Sequence, residues 1–225
     1  MKWCTINHGF PLITLKWPMC YTQWATKDFW NRSKRILLDP SFSNRLLLNE
    51  GNEVHICNKY AKFLLSFNPS DIRAVFVPVL EVPQDSPDES HWWCLALHMR
   101  AQQLWMIDSM YPHPFATHAK EIDLMLSGID VLFRLCDPAW KACLLHSWSK
   151  CTVEILEPKD NSYCGVLMLA CIKFFARRFT ARFSVGTIPT ARANMFLDDV
   201  QCEVNELKDC VGDVISGPRK TSRKL

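Results

Sequence analysis

Apolar runs in the middle of the chain alternate with short polar turns, a pattern that predicts a β-sheet. Ala74 to Leu80 is apolar and β-branched and predicts a strand, in which Pro78 favours an edge or a bulge. Trp92 to Met99 and Leu104 to Met110 predict two more strands, and residues 100–103 between them predict a short turn. The last two strands are therefore expected to form an antiparallel hairpin.

Helical periodicity precedes and follows this hairpin. Arg32 to Asn49 and Glu53 to Phe67 predict helices, the second with apolar side chains at helical spacing. Lys120 to Leu126 predicts another helix, which Gly128 is expected to end. Val131 to Cys136 is a short apolar run that predicts a further strand.

A strand that leads directly into a helix occupies the last third of the chain. Cys151 to Glu157 alternates apolar and polar residues and predicts a strand, and Gly165 to Thr180 predicts a helix that is apolar all round its first half. Ala191 to Asp209 predicts a final amphipathic helix. Helices, then antiparallel strands, then a strand feeding a helix predict an α+β fold rather than a doubly wound sheet.

The chain divides into three stretches. Residues 1–70 form a divergent helical part, residues 71–212 form the core, with which the first part makes a single domain, and residues 213–225 form a basic tail. A tail of this kind is usually a frayed terminus, although its cluster of Lys and Arg also suits nuclear import.

Composition argues against several classes of protein. A length of 225 residues suits one domain, and a net charge of +3 is too small to indicate nucleic-acid binding. No apolar run approaches the roughly 18 residues of a membrane span. The eleven cysteines include no Cys-x-x-Cys pair, and the chain begins without a secretion signal. These features predict an intracellular protein with reduced thiols.

Cys164 is the first candidate for chemistry. It follows a polar turn, Pro158 to Tyr163, and precedes the apolar helix, so it lies at or near a helix amino terminus. The free backbone N–H groups and the dipole at that position favour a thiolate. A buried core cysteine is the alternative interpretation, and it is the common fate of a free cysteine.

His91 and Asp108 are the second and third candidates. His91 immediately precedes the first strand of the hairpin, and Asp108 lies near the end of the second. The start of one strand and the end of its antiparallel partner share one sheet edge, so the two side chains come within reach. If Cys164 opens on that edge, the three form a Cys–His–Asp triad. Taken singly, a solvated histidine and a turn-capping aspartate explain the same residues.

One group of residues resembles a metal site by composition. Its members are Cys136, Cys143, His146 and Cys151. Their spacing matches no zinc knuckle or finger, and a helix–loop segment with inward Trp140 and Trp148 explains the region. The sequence therefore predicts neither a metal nor a cofactor.

Three segments resemble the ubiquitin-like-protein-specific cysteine proteases, the family of the SUMO proteases and their plant, transposon-associated relatives. They are His91-Trp92 at a strand start, Ile107-Asp108-Ser109 at the end of the partner strand, and Asn161 to Val166 around Cys164. The apolar strand that contains Pro78 also resembles one in the family. The resemblance covers residues 74–180 and leaves residues 1–70 unplaced.

The resemblance implies a cysteine-proteinase-like fold, with a central, mostly antiparallel sheet flanked by helices and the nucleophile at the start of a core helix. Catalysis would fall on His91, Asp108 and Cys164, and Trp92 would help form a narrow tunnel for a Gly-Gly tail. The substrate would be a ubiquitin-like modifier of the SUMO class, cut after its terminal glycine. The resemblance also implies a monomeric protein that acts in the nucleus.

The sequence departs from the family at Pro158. The family has a glutamine there, six residues before the cysteine, whose side chain donates to the oxyanion, whereas proline has neither a side-chain nor a backbone donor. Tyr163 is also bulkier than the residue usual before the cysteine. Two functions therefore stay open, a protease with an impaired oxyanion hole and an inactive relative that binds a modifier. An acyltransferase with the same His–acid–Cys order is a third.

Overall fold

The computed structural model describes residues 34–48, 53–65, 71–83, 90–141, 144–155 and 163–174, with 187, 189–190 and 193–194. The strands are β1 (Arg35–Leu37), β2 (Ala74–Glu81), β3 (His91–His98), β4 (Gln103–Ile107) and β5 (Ser149–Thr152). The helices are α1 (Pro40–Leu47), α2 (Glu53–Leu64), α3 (Pro114–Thr117), α4 (Ala119–Cys136) and α5 (Cys164–Phe174).

The five strands form one sheet in the order β1-β2-β3-β4-β5. The pairs β2–β3 and β3–β4 are antiparallel, whereas β1–β2 and β4–β5 are parallel. The α+β class and the β3–β4 hairpin predicted from the sequence are confirmed. The sheet itself is mixed rather than mostly antiparallel, because each edge adds a parallel strand.

Both faces of the sheet are covered. One core cluster joins alternate residues of β2, β3 and β4 to side chains of α1, α2 and α4. The other joins the remaining strand residues to α5. Since successive strand side chains point to opposite faces, Trp93 enters the first cluster and Trp92 and Cys94 enter the second. The sheet therefore separates the two clusters, and Cys164 lies with the second.

The single helix predicted over Arg32 to Asn49 is wrong, since the chain forms β1 and then α1. The helix begins at Pro40, whose missing N–H is harmless in the first turn but disruptive inside a helix. Asp39 caps that end, because its Oδ1 accepts a 2.7 Å hydrogen bond from the Ser41 N–H. β1 pairs with β2, so this part of the chain shares the sheet and the core with later residues.

Gly128 does not end a helix, and residues 131–136 are not a strand. α4 continues through both to Cys136. A Cβ at Gly128 would lie 2.6 Å from Cδ1 of Leu46, so α1 packs closely against α4 at this position. A short apolar run cannot distinguish a strand from the last turns of a buried helix, which is the source of the second error.

The other predicted elements are partly described. The helix predicted from Glu53 and the strand from Ala74 are confirmed as α2 and β2. The strand before Cys164 is β5, displaced to Ser149–Thr152. Residues 1–33 and the basic tail lie outside the described residues, as does the predicted final helix apart from residues 193–194. Among the helices described, none is long and apolar enough to cross a membrane.

Candidate active site

The site lies at the sheet edge where β3 begins and β4 ends. Cys94 pairs with Ile107 across the hairpin, so Asp108 leaves β4 close to the start of β3 at His91. Asp108 opens a tight turn in which its Oδ1 accepts hydrogen bonds from the N–H groups of Met110, at 2.8 Å, and Tyr111, at 3.3 Å. These two bonds orient the Asp108 carboxylate independently of its contacts with histidines.

His91 and Asp108 are in direct contact. His91 Nε2 lies 2.9 Å from Asp108 Oδ1, and both side chains are buried. The hairpin geometry predicted from the sequence thus brings the two residues together. An imidazole held in this way has a fixed ring orientation, and its Nε2 carries the proton that the carboxylate accepts.

Cys164 is the first residue of α5 and is also buried. Its Sγ accepts a hydrogen bond from the Trp92 backbone N–H at 3.3 Å. His91 Nδ1, the ring nitrogen that faces away from Asp108, is buried without a conventional hydrogen bond. The bond from the Trp92 N–H nevertheless places the thiol next to the residue that follows His91, and the thiol is among the groups that raise the pKa of the imidazole. All three predicted residues therefore meet at one point.

The surroundings favour a charged His91. Burial alone would lower the pKa of its imidazole, but the hydrogen bonds and charges of Asp108 and Cys164 outweigh this and raise it to about 9. Burial would likewise raise the pKa of Asp108, yet the hydrogen bonds from His118 and His91 hold it well below its usual range. The site is thus built around an ionised carboxylate and a readily protonated imidazole.

Two residues of the site were not predicted from the sequence, His118 and Glu81. His118 lies between α3 and α4, and its Nε2 is 2.8 Å from Asp108 Oδ2. Its Nδ1 is 2.8 Å from Oε1 of Glu81, the last residue of β2. The antiparallel register that places Glu81 opposite His91 could have been deduced from the strand pattern. No local pattern marks His118, because the packing of α4 sets its position.

The same residues have the donor atoms of a metal site. One ligand atom from each of His91, Asp108 and His118 lies within 4.8 Å of the other two. Each histidine Nε2, however, faces its own oxygen of Asp108 at hydrogen-bond distance, which leaves room for a proton in each pair rather than for a cation. The arrangement is therefore that of a hydrogen-bonded network.

The cysteine-rich group considered as a zinc site is only partly described. Cys136 Sγ lies 3.9 Å from the Ala61 carbonyl oxygen, and His146 Nε2 lies 3.2 Å from the Asp123 carboxylate. Cys143 lies outside the described residues.

Trp92 and Pro158 complete the set of residues singled out in the sequence. The Trp92 backbone contacts Cys164, while the Trp92 indole packs in the core cluster that includes α5. The tunnel role of that indole stays a prediction. Pro158 lies outside the described residues, so the oxyanion position is known from the sequence alone.

Comparison with protein families decides the assignment. Residues 37–211 match the profile described as the Ulp1 protease family, C-terminal catalytic domain. The chain belongs to the Ulp1 protease family. That family consists of cysteine proteases, and the matched range includes Cys164, His91 and Asp108. Among curated proteins, none matches the chain.

Solved structures agree with this family on the fold. The C-terminal Ulp1 protease domain solved in complex with Smt3, the yeast ortholog of SUMO, has a TM-score of 0.62 at 10% identity, covering 87% of this chain and 78% of that one. A de-sumoylating protease has a TM-score of 0.60 at 13% identity, covering 94% and 87%. A Chaetomium thermophilum Ulp1-like SUMO protease domain has 0.50 at 14%, covering 87% and 73%. At such identities the similarity concerns the fold alone.

Proposed function

We propose that this Ulp1-family chain is a cysteine peptidase and isopeptidase that cleaves a ubiquitin-like modifier of the SUMO class after its C-terminal Gly-Gly. The observation that carries the proposal is the meeting of Cys164, His91 and Asp108 at one sheet edge, with 2.9 Å between the histidine and the carboxylate. The family assignment indicates a cysteine-protease reaction, and the positions of Cys164, His91 and Asp108 indicate the role of each residue in it.

In the proposed reaction, His91 takes the proton of the Cys164 thiol, and Sγ attacks the carbonyl carbon of the terminal glycine. The tetrahedral intermediate collapses when His91 passes that proton to the leaving amine, which yields a thioester and the free lysine or peptide. A water molecule, deprotonated by His91, then hydrolyses the thioester. Asp108 holds the imidazole in the required tautomer throughout.

Two backbone groups support the charged species of this reaction. The Trp92 N–H lies 3.3 Å from Sγ and stabilises negative charge on sulfur. The N–H of Cys164, at the start of α5, is the donor proposed for the oxyanion, where Pro158 provides none. The loss of one oxyanion donor costs other hydrolases about 100- to 1,000-fold in rate, so slow turnover is expected.

A second function is favoured by Pro158. A chain without the oxyanion donor that still binds a ubiquitin-like modifier would be a binding module. Thiol chemistry separates the two functions, because a working site makes Cys164 the fastest-reacting cysteine and loses that reactivity in His91→Ala. A binding module has affinity for the modifier without this reactivity.

The deciding experiment is labelling of the full chain with SUMO-type and ubiquitin-type probes that carry a C-terminal thiol trap. Wild type, Cys164→Ser and the control Cys151→Ser are compared, because Cys151 is a half-exposed thiol on β5. We expect one adduct, formed with the SUMO-type probe, lost in Cys164→Ser and kept in Cys151→Ser. Folded wild-type protein that forms no adduct with any probe would overturn the protease assignment in favour of the binding module.

Finer features of the proposal rest on the resemblance. We infer a monomeric enzyme of the nucleus, on the basis of the family and of the basic tail Arg219 to Leu225. Its place among the plant, transposon-associated members rests on the motifs around His91 and Cys164. Relocation of a fluorescent fusion after removal of residues 219–225 tests the nuclear part.

A further inference from the structure

His118 occupies a place in the site that the triad chemistry does not require. Its ring is only 2% exposed and stacks on the Trp93 indole, with 4.4 Å between centroids and an interplanar angle of 18°. It also lies nearly parallel to the His91 ring, at 6.4 Å, with the Asp108 carboxylate bonded to both. A buried histidine in this position needs a physical explanation.

The hydrogen bonds of His118 define its charge. Both ring nitrogens lie 2.8 Å from carboxylate oxygens, Nε2 from Asp108 Oδ2 and Nδ1 from Glu81 Oε1. An ionised carboxylate has no proton to donate, so both nitrogens must donate, and only the imidazolium form can do this. Burial would lower the pKa of His118, but its two carboxylate partners raise it to about 9.

Other groups near His118 do not change its charge state. The Tyr111 ring contacts His118 edge-on at 5.3 Å, and α3 carries no ionisable side chain. Lys120 and Glu121, in the first turn of α4, carry opposite charges. The amino end of α4 disfavours a cation, whereas the Trp93 indole face attracts one. Glu81, Asp108 and His91 are therefore the groups that determine how His118 acts.

We propose that His118 is a positioning residue that acts through Asp108, since as an imidazolium it holds the second carboxylate oxygen, neutralises Glu81 and limits how strongly Asp108 attracts a proton to His91. This inference rests on the proposed function for its consequence, the pH range in which the His91–Cys164 pair reacts. With His118 charged, His91 faces one net negative charge from Asp108, Glu81 and His118 together, and without that cation it faces two.

Neutral substitutions test this charge balance in opposite directions. His118→Gln keeps an amide donor near the Nε2 position for Asp108 but removes the cation. Glu81→Gln removes the opposing anion from a side chain that is 29% exposed and so tolerates the change. We expect the apparent pKa of His91 to rise in the first variant and fall in the second, each by about two pH units, as for one charge ~6 Å away at an effective dielectric constant of about 20.

The measurement is an NMR titration of the His91 ring in the full-length protein, assigned with His91→Gln. The double variant of Glu81 and His118 should return close to wild type, because the two charge changes cancel. His146→Gln is the matched control, since this exposed histidine pairs with Asp123 away from the site, and it should shift nothing. A purely structural role would give no opposite shifts.

A second readout separates the two contacts of His118. His118→Asn places its amide near the Nδ1 position and leaves Asp108 Oδ2 without a donor, so iodoacetamide should alkylate Cys164 several-fold more slowly than in His118→Gln. Equal rates in the two variants, or shifts of the same sign in His118→Gln and Glu81→Gln, would overturn the inference. If His118 variants do not fold, Glu81→Gln decides alone, and an unchanged His91 titration refutes it.

Neither readout uses a modifier. The titration and the alkylation rates therefore test the role of His118, and the probe labelling tests the protease assignment separately.

Discussion

The Trp92 backbone N–H donates a hydrogen bond to Cys164 Sγ across 3.3 Å, while the Trp92 indole packs on the α5 face of the sheet. One residue thus contacts the nucleophile through its main chain and places its side chain elsewhere. Because every non-proline residue carries the same N–H, a substitution at position 92 changes the side chain and leaves the donor to Sγ in place, so the predicted tunnel role of the indole can be tested separately from the thiol.

Trp92→Phe should therefore leave small-molecule chemistry intact and weaken recognition. We expect iodoacetamide to alkylate Cys164 within about twofold of the wild-type rate, while SUMO-type probe labelling falls about tenfold or more, since an aromatic anchor at a binding site commonly contributes that much. Trp105→Phe is the control, because it changes another buried tryptophan of the same cluster. Equal losses in both assays would assign Trp92 a purely structural role.

Asp108→Asn should both slow the reaction and change its pH dependence. An amide in place of the carboxylate favours the wrong imidazole tautomer, and in a serine protease the corresponding change costs about 10,000-fold in turnover. Loss of the negative charge also removes the main cause of the raised His91 pKa, so the basic limb of the rate profile should lie at lower pH than in wild type. Asp123→Asn, which changes an exposed carboxylate, should do neither. An unmoved basic limb would contradict the role given to Asp108.

The stability of the fold should depend on pH through the same groups. His91 and His118 have folded pKa values of about 9, above their ordinary 6.5, so the stability they contribute is fully present below pH 6.5 and is lost as pH rises through 9. Asp108 has a lowered pKa, so its contribution is present above its ordinary value of 3.8 and is lost as pH falls further.

Urea unfolding at fixed ionic strength between pH 6.5 and pH 9 measures the histidine part. We expect the midpoint to fall across this range and to fall less in His118→Gln. The range stops at pH 9 because buried thiols also affect the stability of the fold above it. Burial raises the pKa of Cys94, so at higher pH this thiol ionises in the unfolded chain but not in the folded one. A midpoint that rises with pH would reverse the sign of the argument from these histidines.

Pro158→Gln should increase turnover if the missing donor limits the enzyme. The expected gain is up to about 100- to 1,000-fold, the cost of one oxyanion donor in other hydrolases. Pro158→Ala is the control, since it restores a backbone N–H without adding a side-chain donor. Turnover that is equal in wild type and Pro158→Gln would mean that the oxyanion has another donor, and that the proline is not an impairment.

Gly128→Val should destabilise the fold without changing the site. The added Cβ lies 2.6 Å from Leu46 Cδ1, and overpacking of this kind costs about 1–3 kcal/mol. Gly128→Ala should be nearly neutral, because the end of the Leu46 side chain can move and alanine gains about 1 kcal/mol of helix propensity. Leu124→Val, an exposed position of α4, controls for β-branching. Similar urea midpoints for the two Gly128 variants would show that α1 and α4 separate easily.

The predictable part of the site follows from strand geometry. An antiparallel hairpin fixes which ends of its strands meet, so His91 and Asp108 could be paired from their positions alone. Cys164 could be placed because a polar turn before an apolar run marks a helix start. His118 could not, since its position depends on how α4 packs over the sheet, and taking Gly128 as a helix end makes that helix too short.

The network that begins at Cys164 also bears on how the protein folds. The hydrogen bond between Cys164 and Trp92 joins residues 72 positions apart in the sequence. The His91–Asp108 and Asp108–His118 contacts span 17 and 10 positions, and Glu81 joins the network from β2. The 72-position link is expected to form after the two short ones, because closing a longer loop costs the chain more entropy. The thiol therefore reaches its hydrogen-bond partner only when α5 has docked on the start of β3, two segments that are far apart along the chain.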